Sequence, residues 1–151
     1  MVAITVILAA VIASFVFGMG SSVKKTYTVT VTAAQEGNNL SVTIQGGADY
    51  QSLYALKVMI DNGTAKNYFW ANASSSNFVA LTTNGDYNFS TGTIDADNST
   101  EPSWYSTAST AFDVGKVLKT GFGVMTDSRD HVVVIGRFAD GTEQVLLDTY
   151  L

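Results

Sequence analysis

The 151-residue sequence contains no cysteine, one proline and one histidine. Without cysteine there can be no disulfide, thiolate metal site or thiol nucleophile. His131, the single histidine, has no second His or Cys with which to hold zinc, so we expect a surface or turn residue. Charge is sparse, with 8 Lys and Arg against 13 Asp and Glu for a net −5. Lys24-Lys25 is the one adjacent basic pair, and nucleic acid, which needs a concentrated basic patch, is not an expected partner. Neither Gly18-Met19-Gly20 nor Gly121-Phe122-Gly123 is followed by the Lys-Ser/Thr of a phosphate loop. No G-x-S-x-G occurs, and no nucleophile sits beside a base. Asp127, Arg129 and Asp130 lack the spacing of a calcium loop and read as a solvated turn, as do Asp95 and Asp97. The expectation is a non-enzyme with no cofactor and no metal.

What is present begins with MVAITVILAAVIASFVF, residues 1–17, free of charge, proline and glycine. Gly18-Met19-Gly20-Ser21-Ser22 then breaks the apolar run. As a helix this segment would be about 25–30 Å long, close to the thickness of a bilayer core. Apolar residues cover every side of it, so it must be buried in lipid or protein. Three readings compete. A secretory signal would open on a basic stretch, where this one opens on Val2 and Ala3. A permanent anchor would place Lys24 and Lys25 on the cytoplasmic side, against the composition of residues 26–151, unless a basic leader precedes Met1. A polymerisation helix would sit first in the membrane and later in a filament core.

Beyond Ser22 the period drops to two. Tyr27, Val29 and Val31 alternate with Thr26, Thr28, Thr30 and Thr32 as a half-buried strand. Leu40, Val42 and Ile44 form the returning strand, closed by Gly46-Gly47-Ala48-Asp49. Further strands are expected over Leu53–Ile60, Ala65–Trp70, Phe78–Thr82, Val114–Gly121, His131–Phe138 and Glu143–Tyr150. Asn62-Gly63, Asn84-Gly85 and Asp140-Gly141 supply tight turns between them. The fold class is therefore α+β: a long apolar N-terminal helix, residues 1–22, and an all-β head, residues 23–151, built as an immunoglobulin-like or related β-sandwich. Residues 84–110 read as a long surface loop, in which Trp104 and Tyr105 either pin the loop to the sheet or make exposed adhesive contacts.

Residues MVAITVILAAVIASFVFG closely resemble the N-terminal hydrophobic segment of archaeal type IV pilins. The GG-A-D turn, FDVGKVLKTGFG and HVVVIGRFADGTEQVLLDTYL resemble pilin heads more weakly. The resemblance implies a short apolar stretch before Met1, a prepilin peptidase and a pilus assembly machinery. It implies a subunit that leaves the membrane to join a helical homopolymer on the cell surface, acting in adhesion. Ile4, Ile7, Leu8, Val11, Ile12, Phe15 and Phe17 would pack the filament core, with Gly18 and Gly20 as the hinge into the head. An archaeal flagellar filament subunit is the related alternative, and a membrane-anchored monomeric ligand-binding β module the alternative of another class.

Five Asn-x-Ser/Thr sequons begin at Asn39, Asn62, Asn72, Asn88 and Asn98, against roughly two expected by chance. All fall in or beside expected turns, where N-linked glycans would fit on an extracellular domain.

Overall fold

The computed structural model describes residues 2–22, with side chains through Ser14, and residues 26–127 and 129–151. An N-terminal helix, α1 (Val2–Ser22), is followed by a β-rich domain of antiparallel sheets. The helix continues through Gly18 and Gly20 rather than ending where the apolar run stops. Each helical glycine costs about 1 kcal/mol relative to alanine, which weakens this end without breaking it. The side chains of Phe15 and Phe17, and the pair Lys24-Lys25, lie outside the described residues.

One sheet has the order β1-β2-β7, from β1 (Thr30–Glu36), β2 (Asn39–Gly46) and β7 (Val117–Lys119). The other is β4-β3-β8-β9, from β3 (Leu53–Asp61), β4 (Lys66–Asn72), β8 (His131–Phe138) and β9 (Glu143–Tyr150). A third, small ribbon joins β5 (Ala80–Leu81) to β6 (Tyr87–Asn88) across the Asn84-Gly85 turn. Period-two patterning explains the burial. Tyr27, Val29 and Val31 are buried while their threonine neighbours are exposed, although regular pairing starts only at Thr30. Val31, Leu40, Val42, Ile44 and Leu118 from the first sheet share one core with Leu56, Val58, Ile60, Val132 and Val134 from the second.

Adjacent Leu146 and Leu147 would point to opposite faces of a regular strand, yet both pack against this core. The β8–β9 register shifts between Val134 and Ile135; the extra residue of a bulge turns both leucines inward. Phe69 and Ala71 join the main core, whereas Trp70 between them joins Ala55 and Tyr105 in a second cluster. That cluster lies on the other face of the sheet, because successive strand side chains alternate. The loop 84–110 covers it. Tyr105 is carried on a single helical turn, α2 (Ser103–Ser106), and is fully buried. Its hydroxyl donates to Glu143 at 3.2 Å, and Arg137 lies 5.8 Å over its ring. Tyr105 therefore pins the loop, and Trp104 packs half-buried beside it.

Candidate assembly surface and junction

Every described side chain of α1, residues 2–14, is exposed in the single chain. Exposure is 72% at Ile4, 65% at Ile7, 58% at Leu8, 59% at Val11 and 55% at Ile12. Those five are spaced i, i+3, i+4, i+7 and i+8, so they form one stripe along the helix. Ala3, Ala9, Ala10 and Ala13 fall outside it. Val2 and Val6, also exposed, lie on that alanine side, so large side chains are not confined to the stripe. Ala10 and Ser14 leave a shallow depression beside Ile7 and Val11, the kind of recess that admits a neighbouring side chain. Among the described residues no helix is long and apolar enough to cross a membrane.

The chain enters the head through a junction that the sequence pattern marks only as a strand. The Tyr27 amide donates to Oε1 of Gln144 at 2.9 Å, and Nε2 of Gln144 donates to the Tyr27 carbonyl at 2.8 Å. One side-chain amide therefore stands in for a strand neighbour. The Tyr27 ring stacks on Phe138, 4.1 Å between centroids and 5° from parallel. Its hydroxyl hydrogen-bonds the Asp140 carboxylate, which raises the tyrosine pKa. Asp140 is held below its ordinary range by the Thr142 amide, then by the Thr142 hydroxyl and Tyr27. One residue on, the Thr28 amide donates to Oδ2 of Asp49 at 2.7 Å, and the Asp49 amide donates back to the Thr28 carbonyl at 3.0 Å. The GG-A-D turn has a physical reason here. A Cβ on Gly47 would lie 2.5 Å from the Thr28 carbonyl oxygen.

The five sequons divide sharply. A glycan is joined through Nδ2, so that atom must be free and accessible. Asn98 is 1% exposed, accepts from the Tyr68 amide at 3.3 Å and donates from Nδ2 to the Tyr68 carbonyl at 3.4 Å. The loop expected to expose it instead buries it and uses it to fasten residue 98 to β4. Asn62 caps its own turn, accepting from Thr64 and Ala65, and commits Nδ2 to the Val124 carbonyl at 3.1 Å. Asn39 accepts from the Gly123 amide at 3.1 Å through Oδ1. Asn72 accepts from the Ser74 amide and the Ser75 hydroxyl, also through Oδ1. Asn88 is half-exposed on β6.

Other polar candidates are structural. Asp130 is fully buried rather than solvated, and its carboxylate accepts from the Thr126 amide and hydroxyl at 2.7 Å each. His131 opens β8, contacts Asp148 at 2.6 Å and stacks on Tyr150. Asp95 accepts from the Asp97 amide, and Asp97 from the Ser99 hydroxyl. Sequence reasoning missed the Tyr27–Gln144 junction altogether. The second aromatic cluster did leave a trace, in the run Tyr68-Phe69-Trp70, where large side chains fall on both faces of one strand.

No curated protein matches the chain. Residues 1–31 match the family model described as archaeal type IV pilin, N-terminal. The match runs past the apolar segment through Tyr27 and Val29 to Val31 of β1, and stops before the GG-A-D turn. That family implies self-assembly into surface pili, processing by a prepilin peptidase and a structural rather than enzymatic role. On the strength of its first 31 residues, the chain is recognised as resembling the archaeal type IV pilins, and the match supports a pilin structural subunit.

Proposed function

We propose that this chain polymerises through residues 1–22 into an extracellular pilus, with residues 23–151 as an outward-facing head that serves adhesion. The observation that carries this is an exposed apolar helix inside the segment that matches the pilin family. Seven large aliphatic side chains between Val2 and Ile12 are exposed. Burying each is worth about 1.5–3 kcal/mol against water, so together on the order of 10–20 kcal/mol as an upper bound. That range overlaps the association cost of about 4–15 kcal/mol and reaches past it. Against lipid the same gain nearly vanishes, so withdrawal from a membrane needs work from an assembly machinery. Gly18 and Gly20, at the weaker end of the helix, are suited to a bend. The order β1-β2-β7 opposite β4-β3-β8-β9 corresponds to strands A-B-E and C′-C-F-G of an immunoglobulin-type sandwich, which supports an immunoglobulin-like head. Asn39, Asn72 and Asn88 are the sequons suited to N-linked glycans.

Electron microscopy of cell-surface preparations tests the reading. Filaments containing the chain are expected, and Ile7→Lys should abolish them while the head keeps its fold by circular dichroism. Dispersed, detergent-soluble monomers of the unaltered chain, or normal filaments from Ile7→Lys, would overturn it.

A further inference from the structure

A cleft of about 190 Å³ lies between the 72–75 turn that follows β4 and the chain leaving α2. Its walls include Asn72, Ser74, Trp104, Thr107, Ser109 and Thr110, with two alanines. Among the described residues no ionisable side chain lines it. An anionic ligand would find no cation there, and a cation no carboxylate. The volume is below the roughly 300–1,000 Å³ of sites for drug-sized molecules, so the occupant is about one ring in size. What the cleft does offer is one indole beside several hydroxyls and an amide. An indole face is electron-rich and attracts the polarised C–H bonds of a pyranose, while hydroxyls and amides match sugar hydroxyls as both donors and acceptors.

The walls are braced before any ligand arrives. The Ser75 amide closes the turn onto the Asn72 carbonyl at 3.0 Å, and Nζ of Lys116 donates to the Ala73 carbonyl at 2.6 Å. Across the cleft, the Thr107 hydroxyl donates to the Ser103 carbonyl at 3.1 Å, which leaves its oxygen able to accept. Trp104 is seated against the Trp70–Tyr105 cluster. A preformed site loses less conformational entropy on binding.

We infer that this cleft seats one neutral hexose ring against Trp104. The inference rests on the reading of the head as outward-facing. Two sources could supply that ring. One is a free saccharide on a surface being bound. The other is a glycan on Asn72 itself, the one sequon asparagine in the cleft wall. Both side-chain hydrogen bonds of Asn72 are accepted at Oδ1, so Nδ2 is the atom left for attachment. There Nδ2 would lose a proton and form a bond to the sugar C1, while the phosphate of a lipid-linked sugar donor leaves.

The test uses the full-length chain in detergent micelles, so its outcome is independent of whether the chain polymerises. The sequence has two tryptophans, and subtracting the emission of Trp104→Phe isolates Trp104 from buried Trp70. In one arm, chain made in a host without N-glycosylation is titrated with glucose, mannose, galactose and N-acetylglucosamine. In the other, native chain is mapped by mass spectrometry at Asn72, and its quenching by acrylamide is compared with that of Asn72→Gln. A saturable Trp104 response to free sugar, absent in Thr107→Val, identifies an exogenous ligand. An Asn72 glycan that lowers Trp104 quenching at least twofold identifies the chain's own. The inference is overturned if Trp104 ignores free sugar and is quenched equally with and without the Asn72 side chain, including the case in which Asn72 carries no glycan.

Discussion

Gly46 and Gly47 offer a matched pair of perturbations. Their φ angles are +128° and +124°, so alanine at either meets nearly the same backbone strain, about 1–3 kcal/mol. Their surroundings differ. A Cβ at Gly46 would touch only Val114 methyls at 3.8 and 3.9 Å, an ordinary contact. At Gly47 it would lie 2.5 Å from the Thr28 carbonyl oxygen and 2.9 Å from the Val29 Cα. Both are main-chain atoms, so no rotamer change relieves the clash, and forced backbone shifts add about 1–3 kcal/mol. We expect Gly46→Ala to cost about 1–3 kcal/mol and Gly47→Ala about 2–6 kcal/mol. Urea unfolding of the detergent-solubilised chain, followed by the emission of fully buried Trp70, measures both. In thermal melts the gap between the two variants should be about 2–12 °C. Equal midpoints, or a costlier Gly46→Ala, would refute the close approach of the GG-A-D turn to Thr28 and with it the structural reason for that motif.

Burial, then Glu143, raises the Tyr105 pKa far above its ordinary 10.0, so this hydroxyl stays protonated in the fold while the unfolded chain ionises. The folded state then binds more protons, and its advantage, intact below pH 10, declines as pH rises. Between about pH 8 and about pH 11 the chain should lose roughly 1.4 kcal/mol from this group; Tyr105→Phe should flatten that decline in urea midpoints, and an unchanged slope would count against the burial. Asn98→Ala strips partners from both the amide and the carbonyl of Tyr68 and should cost about 1–3 kcal/mol. If unfolding showed no cost for Asn98→Ala, residue 98 would be no fastener and would return as a glycan candidate.

The strands were legible because alternation and turn residues agree. HVVVIGRF and EQVLLDTY around Asp140-Gly141 are found as β8 and β9 with the expected bounds. Expected strands shortened where other partners compete. The stretch expected over Val114–Gly121 pairs regularly only at Val117–Lys119, because Gly115 turns to donate to the Ile44 carbonyl and the Thr120 amide donates to Leu40. The expected strand Phe78–Thr82 pairs as a ladder only at Ala80–Leu81, flanked by single bridges from Val79 to Trp70 and from Thr82 to Ile94. Sequons are defined by three residues, and three residues do not reveal burial; hence Asn98 looks the same in sequence as Asn88. The Tyr27–Gln144 contact spans 117 positions, and no local pattern marks a glutamine that will serve as a strand.

That contact bears on how a filament subunit would be specified. If exchanging lipid for helix neighbours is nearly neutral, the register between subunits must come largely from contacts of the head. A head can impose register only if the chain leading into it is fixed. Gln144 does this for Tyr27, which is itself 6% exposed. Gln144→Leu keeps an aliphatic side chain at position 144 but removes both bonds to the Tyr27 main chain, a loss of about 1–3 kcal/mol confined to the junction. Local opening of that size accelerates amide exchange by about 5- to 150-fold. Hydrogen exchange on the solubilised chain should therefore show the Tyr27 amide deprotected by this factor while Val134 and Ile60 in the shared core keep their protection. Any filaments from this variant should have blurred heads around an ordered core in electron micrographs. A Tyr27 amide as protected as in the unaltered chain would show that Phe138 and Asp140 hold the junction without Gln144.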